Sequence, residues 1–382
     1  MKGMKCIVNG RIILEDGVAE GKCLLFDRQV LGIADASPAG AEVIDARGGW
    51  VSPGLIDVHC HGFMGMDASR GDLGELLRMS EAKAAQGVTS WLPTTMTLPW
   101  PVLEGCFDAV RRAMAATAAP GFRGARVLGC HAEGPFINAK KKGAQSEAAI
   151  QRPDIGKLRP WADVIRLMTV APEVDGALDF IREAVKLGVA VSMGHTAATA
   201  GEAMAGIEAG VTHLTHTFNA MPPLNHREPG PIGAAMNDGR VYCELIADTF
   251  HVSPMLYPML SRMLPDRLVL ITDSIQVAGL PDGPHDQLGV TVIVDGIRCR
   301  FPDGTIAGSA LTMDRAVRNL LAHTDLPVWR AVNMASLYPA RSIGADGAKG
   351  ALSPGRDADI VVADPGFHVQ KTWVGGELVY QR

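Results

Sequence analysis

The chain reads as an α/β protein: a (β/α)8 TIM-like barrel inserted in a small β-sandwich domain that both chain ends build together. Three observations predict this. A helical pattern runs three times into glycine, valine and a further apolar run: Ala84-Ala85-Gln86-Gly87-Val88, Ala184-Val185-Lys186-Leu187-Gly188-Val189 and Ile207-Glu208-Ala209-Gly210-Val211. Glycine just past a helix takes the left-handed conformation that closes it, and a strand starting at once is the short connection of a βα repeat. Apolar runs follow such helices at eight places, 54–59, 90–93, 127–130, 164–170, 189–193, 213–215, 241–246 and 268–272, the number a closed parallel barrel needs. Finally, the two ends share a pattern of short β-like pieces that the middle lacks.

Residues 1–52 carry five such pieces, Cys6-Ile7-Val8, Arg11-Ile12-Ile13-Leu14, Cys23-Leu24-Leu25-Phe26, Val30-Leu31-Gly32-Ile33 and Glu42-Val43-Ile44-Asp45, broken by Gly, Asp and Pro. The tail from 344 to 382 repeats the pattern in Ala358-Asp359-Ile360-Val361-Val362-Ala363, Val369-Gln370-Lys371-Thr372-Trp373-Val374 and Leu378-Val379-Tyr380. Residues 53–343 are then the barrel. A doubly wound open sheet is the alternative, but no Gly-x-Gly-x-x-Gly follows the first apolar run and no phosphate loop is present.

Composition narrows the function classes. The chain of 382 residues is 47% hydrophobic and 20% charged, with net charge −5 and no long like-charge run. These values suit a soluble domain with a large core and argue against a nucleic-acid surface or a polybasic membrane patch. Lys140-Lys141-Lys142 is the nearest approach to a basic run. Seven scattered cysteines without a Cys-x-x-Cys pair read as buried hydrophobes in a reducing compartment. The first residues lack a signal peptide's apolar stretch, and no run of about 18 residues is uniformly apolar. A cytoplasmic protein acting on a small molecule is expected.

A barrel's active site lies at the C-terminal ends of its strands. Strand 1 ends in His59 and His61, strand 3 in His131 and Glu133, strand 5 in His195, strand 6 in His216, strand 7 in Asp248 and strand 8 in Asp273. Side chains alternate along a strand, so His59 and His61 share a face while Cys60 points away. Such a pair alone is as consistent with a hydrogen-bonded surface strand as with metal binding. Five of the 11 histidines fall at these strand ends, however, and that concentration favours a metal site. Imidazole nitrogen and carboxylate oxygen suit Zn²⁺ or Fe²⁺ with positions left for water. Asp273 is placed to carry a proton between that water and a leaving group; taken alone it could equally be a turn or N-cap residue.

These strings resemble the amidohydrolase superfamily and, within it, the N-acetylglucosamine-6-phosphate deacetylase family. They include Gly129-Cys130-His131-Ala132-Glu133-Gly134-Pro135-Phe136, Gly194-His195-Thr196, Thr215-His216-Thr217-Phe218-Asn219-Ala220-Met221, Asp248-Thr249-Phe250-His251, Thr272-Asp273 and Gly308-Ser309-Ala310-Leu311. The resemblance implies a divalent metal held by Glu133, His195 and His216. Family members that keep both strand-1 histidines can bind a second ion there, which makes His59 and His61 its candidate ligands; one or two Zn²⁺ or Fe²⁺ per subunit are thus expected. Asp273 takes the place of the general acid/base. Substrate contacts are implied for Ala144, Gln145, Asn219, Ala220, Arg227, Asp248, His251, Ala307, Gly308 and Ser309. Arg227 is expected to reach the neighbouring active site of a homodimer.

Gln145 stands where some family members have a histidine against the substrate carbonyl; an amide donates a neutral hydrogen bond there and cannot change charge near pH 7. The activity implied is hydrolysis of an amino-sugar phosphate's N-acetyl group, with the galactosamine epimer as an alternative substrate. A cyclic-amide hydrolase usually carries a metal-bridging lysine after strand 4, where this chain has Ala171-Pro172-Glu173. An amino-purine deaminase would show a glutamate near the strand-5 histidine, where Thr-Ala-Ala-Thr follows His195. A scaffold that has lost catalysis would have no use for the full ligand set.

Overall fold

The computed structural model describes residues 3–287 and 289–382. Eight parallel strands form the barrel: Leu55–Cys60, Val88–Thr95, Cys130–Glu133, Ile165–Val170, Ala190–Met193, Val211–Leu214, Tyr242–Ile246 and Leu268–Ile271. Each pairs with the next in that order. The ring closes between the eighth and first strands through Asp273 N–H donating to His59 O at 2.8 Å and a single parallel bridge between Cys60 and Ser274. A buried ion pair stitches the same seam. Lys83 Nζ donates to Asp57 Oδ2 at 2.8 Å, and Thr272 Oγ1 donates to the same oxygen at 2.7 Å.

The helix-to-strand punctuation has the expected cause. Helix Ala200–Ala209 starts in a capping box, with Thr199 and Glu202 satisfying each other's backbone N–H, and stops at Gly210. Gly210 has φ 122°, and an added Cβ there would sit 2.8 Å from Val185 Cγ2. Outside the ring, helix Trp100–Ala118 buries Leu103, Cys106, Phe107, Val110 and Ala113, an apolar stripe at helical spacing that packs on the barrel.

The chain ends do meet. Strand Ile360–Ala363 pairs antiparallel with Trp50–Pro53, placing Val361 opposite Ser52. Around this pair grows a six-stranded sheet, which faces a four-stranded sheet of Lys5–Val8, Cys23–Phe26, Val30–Ala34 and Glu42–Asp45. Ile7, Leu24, Phe26, Val51, Ile360 and Trp373 fill the space between them.

Two details differ from the sequence reading. The third strand was expected at 127–130, but it breaks into Arg126–Val127 and Cys130–Glu133. The break falls at Gly129, where only glycine fits: its φ is 150°, and a Cβ would collide with Arg166 Cγ at 2.3 Å. His131 and Glu133 therefore lie within the strand rather than beyond it. Second, a four-stranded antiparallel sheet, Gly283–Gln287, Val290–Asp295, Arg298–Arg300 and Ile306–Ser309, follows the eighth strand. It leans one edge over the C-terminal mouth of the barrel.

Candidate metal centre

Six side chains converge at that mouth. Strand 1 supplies His59 and, one residue past its end, His61; both are buried, and Cys60 between them faces Ser274 Oγ at 3.2 Å. Strand 3 supplies Glu133. His195, His216 and Asp273 follow strands 5, 6 and 8, and all three have positive φ, 46°, 28° and 46°. Backbone in that region costs roughly 1–3 kcal/mol per residue, and here it turns each side chain inward from a strand end.

The imidazoles are oriented from behind. His59 Nδ1–H donates to Glu244 Oε2 at 3.0 Å, His61 Nδ1–H to Thr94 O at 3.1 Å, and His195 Nδ1–H to Lys141 O at 2.9 Å. Each partner is an acceptor, so each ring, when it serves as a metal ligand, carries its proton on Nδ1 and presents Nε2 inward. The Nε2 atoms face one another: those of His59 and His61 are 3.3 Å apart, and those of His195 and His216, whose Nδ1 has no such partner, 3.1 Å. Glu133 sits between the two pairs. Its Oε1 lies 3.2 and 3.1 Å from His195 and His216, and its Oε2 lies 3.3 Å from His61. Asp273 Oδ1 is 3.4 Å from both strand-1 histidines. Lone pairs and carboxylates crowded together repel unless a cation lies among them. Glu133, His195 and His216 form one group able to hold an ion, and His59, His61 and Glu133 another.

Electrostatics agree. Burial alone would lower the pKa of His59, but the carboxylates of Asp273, Glu133 and Glu244 outweigh it and raise His59 to about 9. Burial would raise Asp273, yet His59, His61 and His216 bring it down to about 2. Glu133 is likewise held well below the usual carboxylate range, against burial, by His195 and His59. The buried carboxylates thus favour positive charge among these rings. Its nitrogen and oxygen donors suit a divalent cation such as Zn²⁺ or Fe²⁺.

A cavity of about 300 Å³ opens above these groups. Of the residues expected to touch substrate, Ala144, Gln145, Asn219, Ala220, His251, Ala307 and Gly308 line it. Gln145 is fastened at both ends of its amide: Thr97 N–H donates to Oε1 at 2.6 Å, and Nε2 donates to Glu133 Oε2. Asp248 is buried beneath the cavity. It accepts from the His251 ring at 2.6 Å and from the Phe250 and His251 backbone, and so orients His251. Ser309 is also buried outside the lining; its Oγ donates to Thr272 O and its N–H to Asp273 O at 3.0 Å. Arg227 lies on an exposed loop, away from the lining of its own chain's cavity.

Three contributors are absent from the sequence reading. Glu244 lies inside strand 7. Thr94, at the end of strand 2, supplies the carbonyl for His61. Glu173, after strand 4, latches the loop that follows His195 by accepting from Thr196 Oγ1 and Ala197 N–H at 2.6 Å each and from Asn138 Nδ2 at 2.9 Å. A lone glutamate within the apolar run Val241-Tyr242-Cys243-Glu244-Leu245-Ile246 is the one signal that could have pointed to Glu244.

A parallel barrel with His-x-His on strand 1, a carboxylate on strand 3, histidines after strands 5 and 6 and aspartate after strand 8 defines a barrel metallohydrolase. The chain belongs to the amidohydrolase family, whose profile matches residues 50–379. It is 38% identical to an N-acetylgalactosamine-6-phosphate deacetylase of Escherichia coli O157:H7, over 96% of this chain and 97% of that one. It is 37% identical to the N-acetylglucosamine-6-phosphate deacetylase of Bos taurus, covering 88% of this chain and 85% of that one. The crystal structure of N-acetylglucosamine-6-phosphate deacetylase from Pasteurella multocida superposes with a TM-score of 0.93 at 30% identity, covering 99% and 100% of the two chains.

Proposed function

We propose that this chain hydrolyses the N-acetyl group of N-acetylglucosamine 6-phosphate, giving glucosamine 6-phosphate and acetate. The observation that carries the reading is Asp273 set 3.4 Å from two candidate metal ligands and lining the same cavity as Asn219, Ala220 and His251. The N-acetylglucosamine-6-phosphate deacetylase name recurs among bacterial and mammalian relatives covering most of the chain.

Glu133, His195 and His216 would hold the principal ion, and His59 and His61, with Glu133 between, a second. Three buried carboxylates, Glu133, Glu244 and Asp273, lie among these imidazoles without a lysine or arginine partner among the described residues, and two groups of three ligand atoms that share Glu133 support room for two ions. A divalent cation there supplies Lewis acidity, acidifying water and polarising a carbonyl. Asp273 accepts the proton from the attacking water and returns it to the amine nitrogen as the C–N bond breaks, so that a neutral amine leaves. Gln145 keeps one amide N–H for the acetyl oxygen while its other bonds hold it still. His251, Asn219 and the Ala220 backbone take the sugar phosphate, completed by Arg227 from a second subunit of a homodimer, a bidentate partner suited to phosphate. Seven buried free cysteines fit a reducing cytoplasm.

The test is acetate release from N-acetylglucosamine 6-phosphate, its galactosamine epimer and unphosphorylated N-acetylglucosamine, with metal content measured on the same sample. The expected order is N-acetylglucosamine 6-phosphate, N-acetylgalactosamine 6-phosphate, then unphosphorylated N-acetylglucosamine. Equal rates with and without phosphate overturn the anchoring roles of Arg227 and His251. No acetate from any of them, on metal-loaded protein, overturns the reading.

A further inference from the structure

Glu244 is wholly buried in the seventh strand between Cys243 and Leu245. Its Oε2 accepts two hydrogen bonds at 3.0 Å, one from His59 Nδ1–H and one from the backbone N–H of His216. One oxygen thus ties a ligand from strand 1 to a ligand from strand 6. Its other oxygen, Oε1, has no hydrogen-bond partner, and its one ion pair among the described residues is with His59. A buried carboxylate without a lysine or arginine is retained at a cost unless the ring it holds carries or binds positive charge. Glu244 touches neither the cavity nor any candidate substrate group.

We propose that Glu244 is the positioning residue that makes His59 and His61 a cation site. Its negative charge fixes the Nδ1–H tautomer of His59, aims the Nε2 lone pair at His61 and Glu133, and raises the basicity of that nitrogen as a ligand. The inference rests on the two-ion reading of the site and adds a residue that neither the motifs nor the fold pattern single out.

Zn²⁺ binding to the full-length chain, titrated in competition with a chromophoric chelator, tests it. The parent protein is expected to bind two equivalents in resolvable steps. Glu244→Gln keeps the shape and an acceptor oxygen but removes the charge; it should weaken the second step about tenfold and the first by less than threefold. Glu244→Leu, which removes the acceptor as well, should weaken the second step about a hundredfold. Should the leucine variant fail to fold, the glutamine variant decides. His59→Gln should abolish the second step outright, and adding Glu244→Gln to it should change the remaining step by no more than it does alone. Two steps unchanged in Glu244→Gln, equal weakening of both, or a single step in the parent would each overturn the role of Glu244. Acetate release by the parent separates this from the functional reading. A parent that releases acetate yet shows no Glu244 effect sinks only the inference; one with the Glu244 effect but no acetate release sinks only the deacetylase assignment.

Discussion

The two halves of the metal centre are built by different means. His59 and Glu133 belong to regular strands, and His61 lies one residue beyond one. The pleat sends residues two apart to the same side, and barrel closure fixes their height. His195, His216 and Asp273 sit just past strand ends in left-handed backbone, where nothing regular directs them. They are held instead by latches from other segments: Lys141 O for His195, Glu173 for the loop after it, Glu244 for the His216 N–H, and Ser309 N–H on the Asp273 carbonyl. A strand-held ligand is as stable as the barrel; a loop-held ligand can be lost while the barrel survives.

Asp273 makes the sharpest division between holding a metal and doing chemistry. Asp273→Asn keeps the size and one acceptor oxygen of a loop-held group but removes its proton-carrying capacity. We expect turnover to fall about 10²–10⁴-fold, the usual contribution of a general acid/base, with near-parental metal content by elemental analysis and an unshifted melting temperature. Turnover within a few fold of the parent would dissolve the distinction.

On the strand-held side the most exposed weakness is the seam. Lys83 and Asp57 are both buried, and their pair sits two residues before His59. Lys83→Met leaves Asp57 buried without its cationic partner, held only by Thr272. The expected loss is about 3–5 kcal/mol of unfolding free energy, measured by urea denaturation of metal-loaded protein, with both metal positions weakened together because the whole ring loosens. Loss confined to one metal position would show that the strands do not act as a unit.

The division also explains what could be read from the chain alone. His59 and His61 are legible because a strand has period two, and the helix–glycine–valine repeats are legible because a helix end needs a left-handed residue. Both are local rules. Glu244 obeys no local rule: its partner His59 is 185 residues away in sequence, and a glutamate in an apolar run looks like an interruption until the barrel closes. The sheet from Gly283 to Ser309 was illegible for a related reason. Its strands pair antiparallel with one another and meet the barrel seam only at the Ser274–Ser309 bridge among the described residues, so they do not extend the βα rhythm, although Asp295-Gly296 marks one of its turns. The strained φ values of His195, His216 and Asp273 follow from where the loops must return, which no spacing encodes.

His213, within strand 6 and three residues before His216, probes the strand-held half through pH. Burial keeps it neutral and lowers its pKa to about 4, against about 6.5 in the unfolded chain. Between those values the unfolded state binds the extra proton, so stability rises with pH; the contribution is whole above about pH 6.5 and gone below about pH 4. The span corresponds to about 3 kcal/mol. Denaturation at pH 7 and pH 4.5 should therefore lose more stability in the parent than in His213→Leu, which has no proton to take up. Identical losses would mean that His213 titrates as it does when unfolded.

Glu173 gives the smallest effect and the cleanest test of the loop-held half. It accepts from Asn138 Nδ2, Thr196 Oγ1 and Ala197 N–H, so it fixes the chain immediately after His195 from the end of strand 4. Glu173→Gln keeps the volume but replaces one acceptor oxygen with a donor. Either Thr196 or the Ala197–Asn138 pair then meets an N–H in place of an oxygen, a mismatch of about 1–3 kcal/mol. If the loop were an integral part of the barrel, that penalty would appear in global unfolding. Because His195 sits beyond the strand, we expect the loop to relax instead. The melting temperature should move by little, while kcat/KM falls about tenfold, equivalent to roughly 1.4 kcal/mol of misplacement at one ligand. The affinity of the Glu133–His195–His216 position should fall with it and that of the His59–His61 position should not. A fall in melting temperature without a selective loss of that metal position would place His195 with the strand-held ligands and erase the contrast between the two halves.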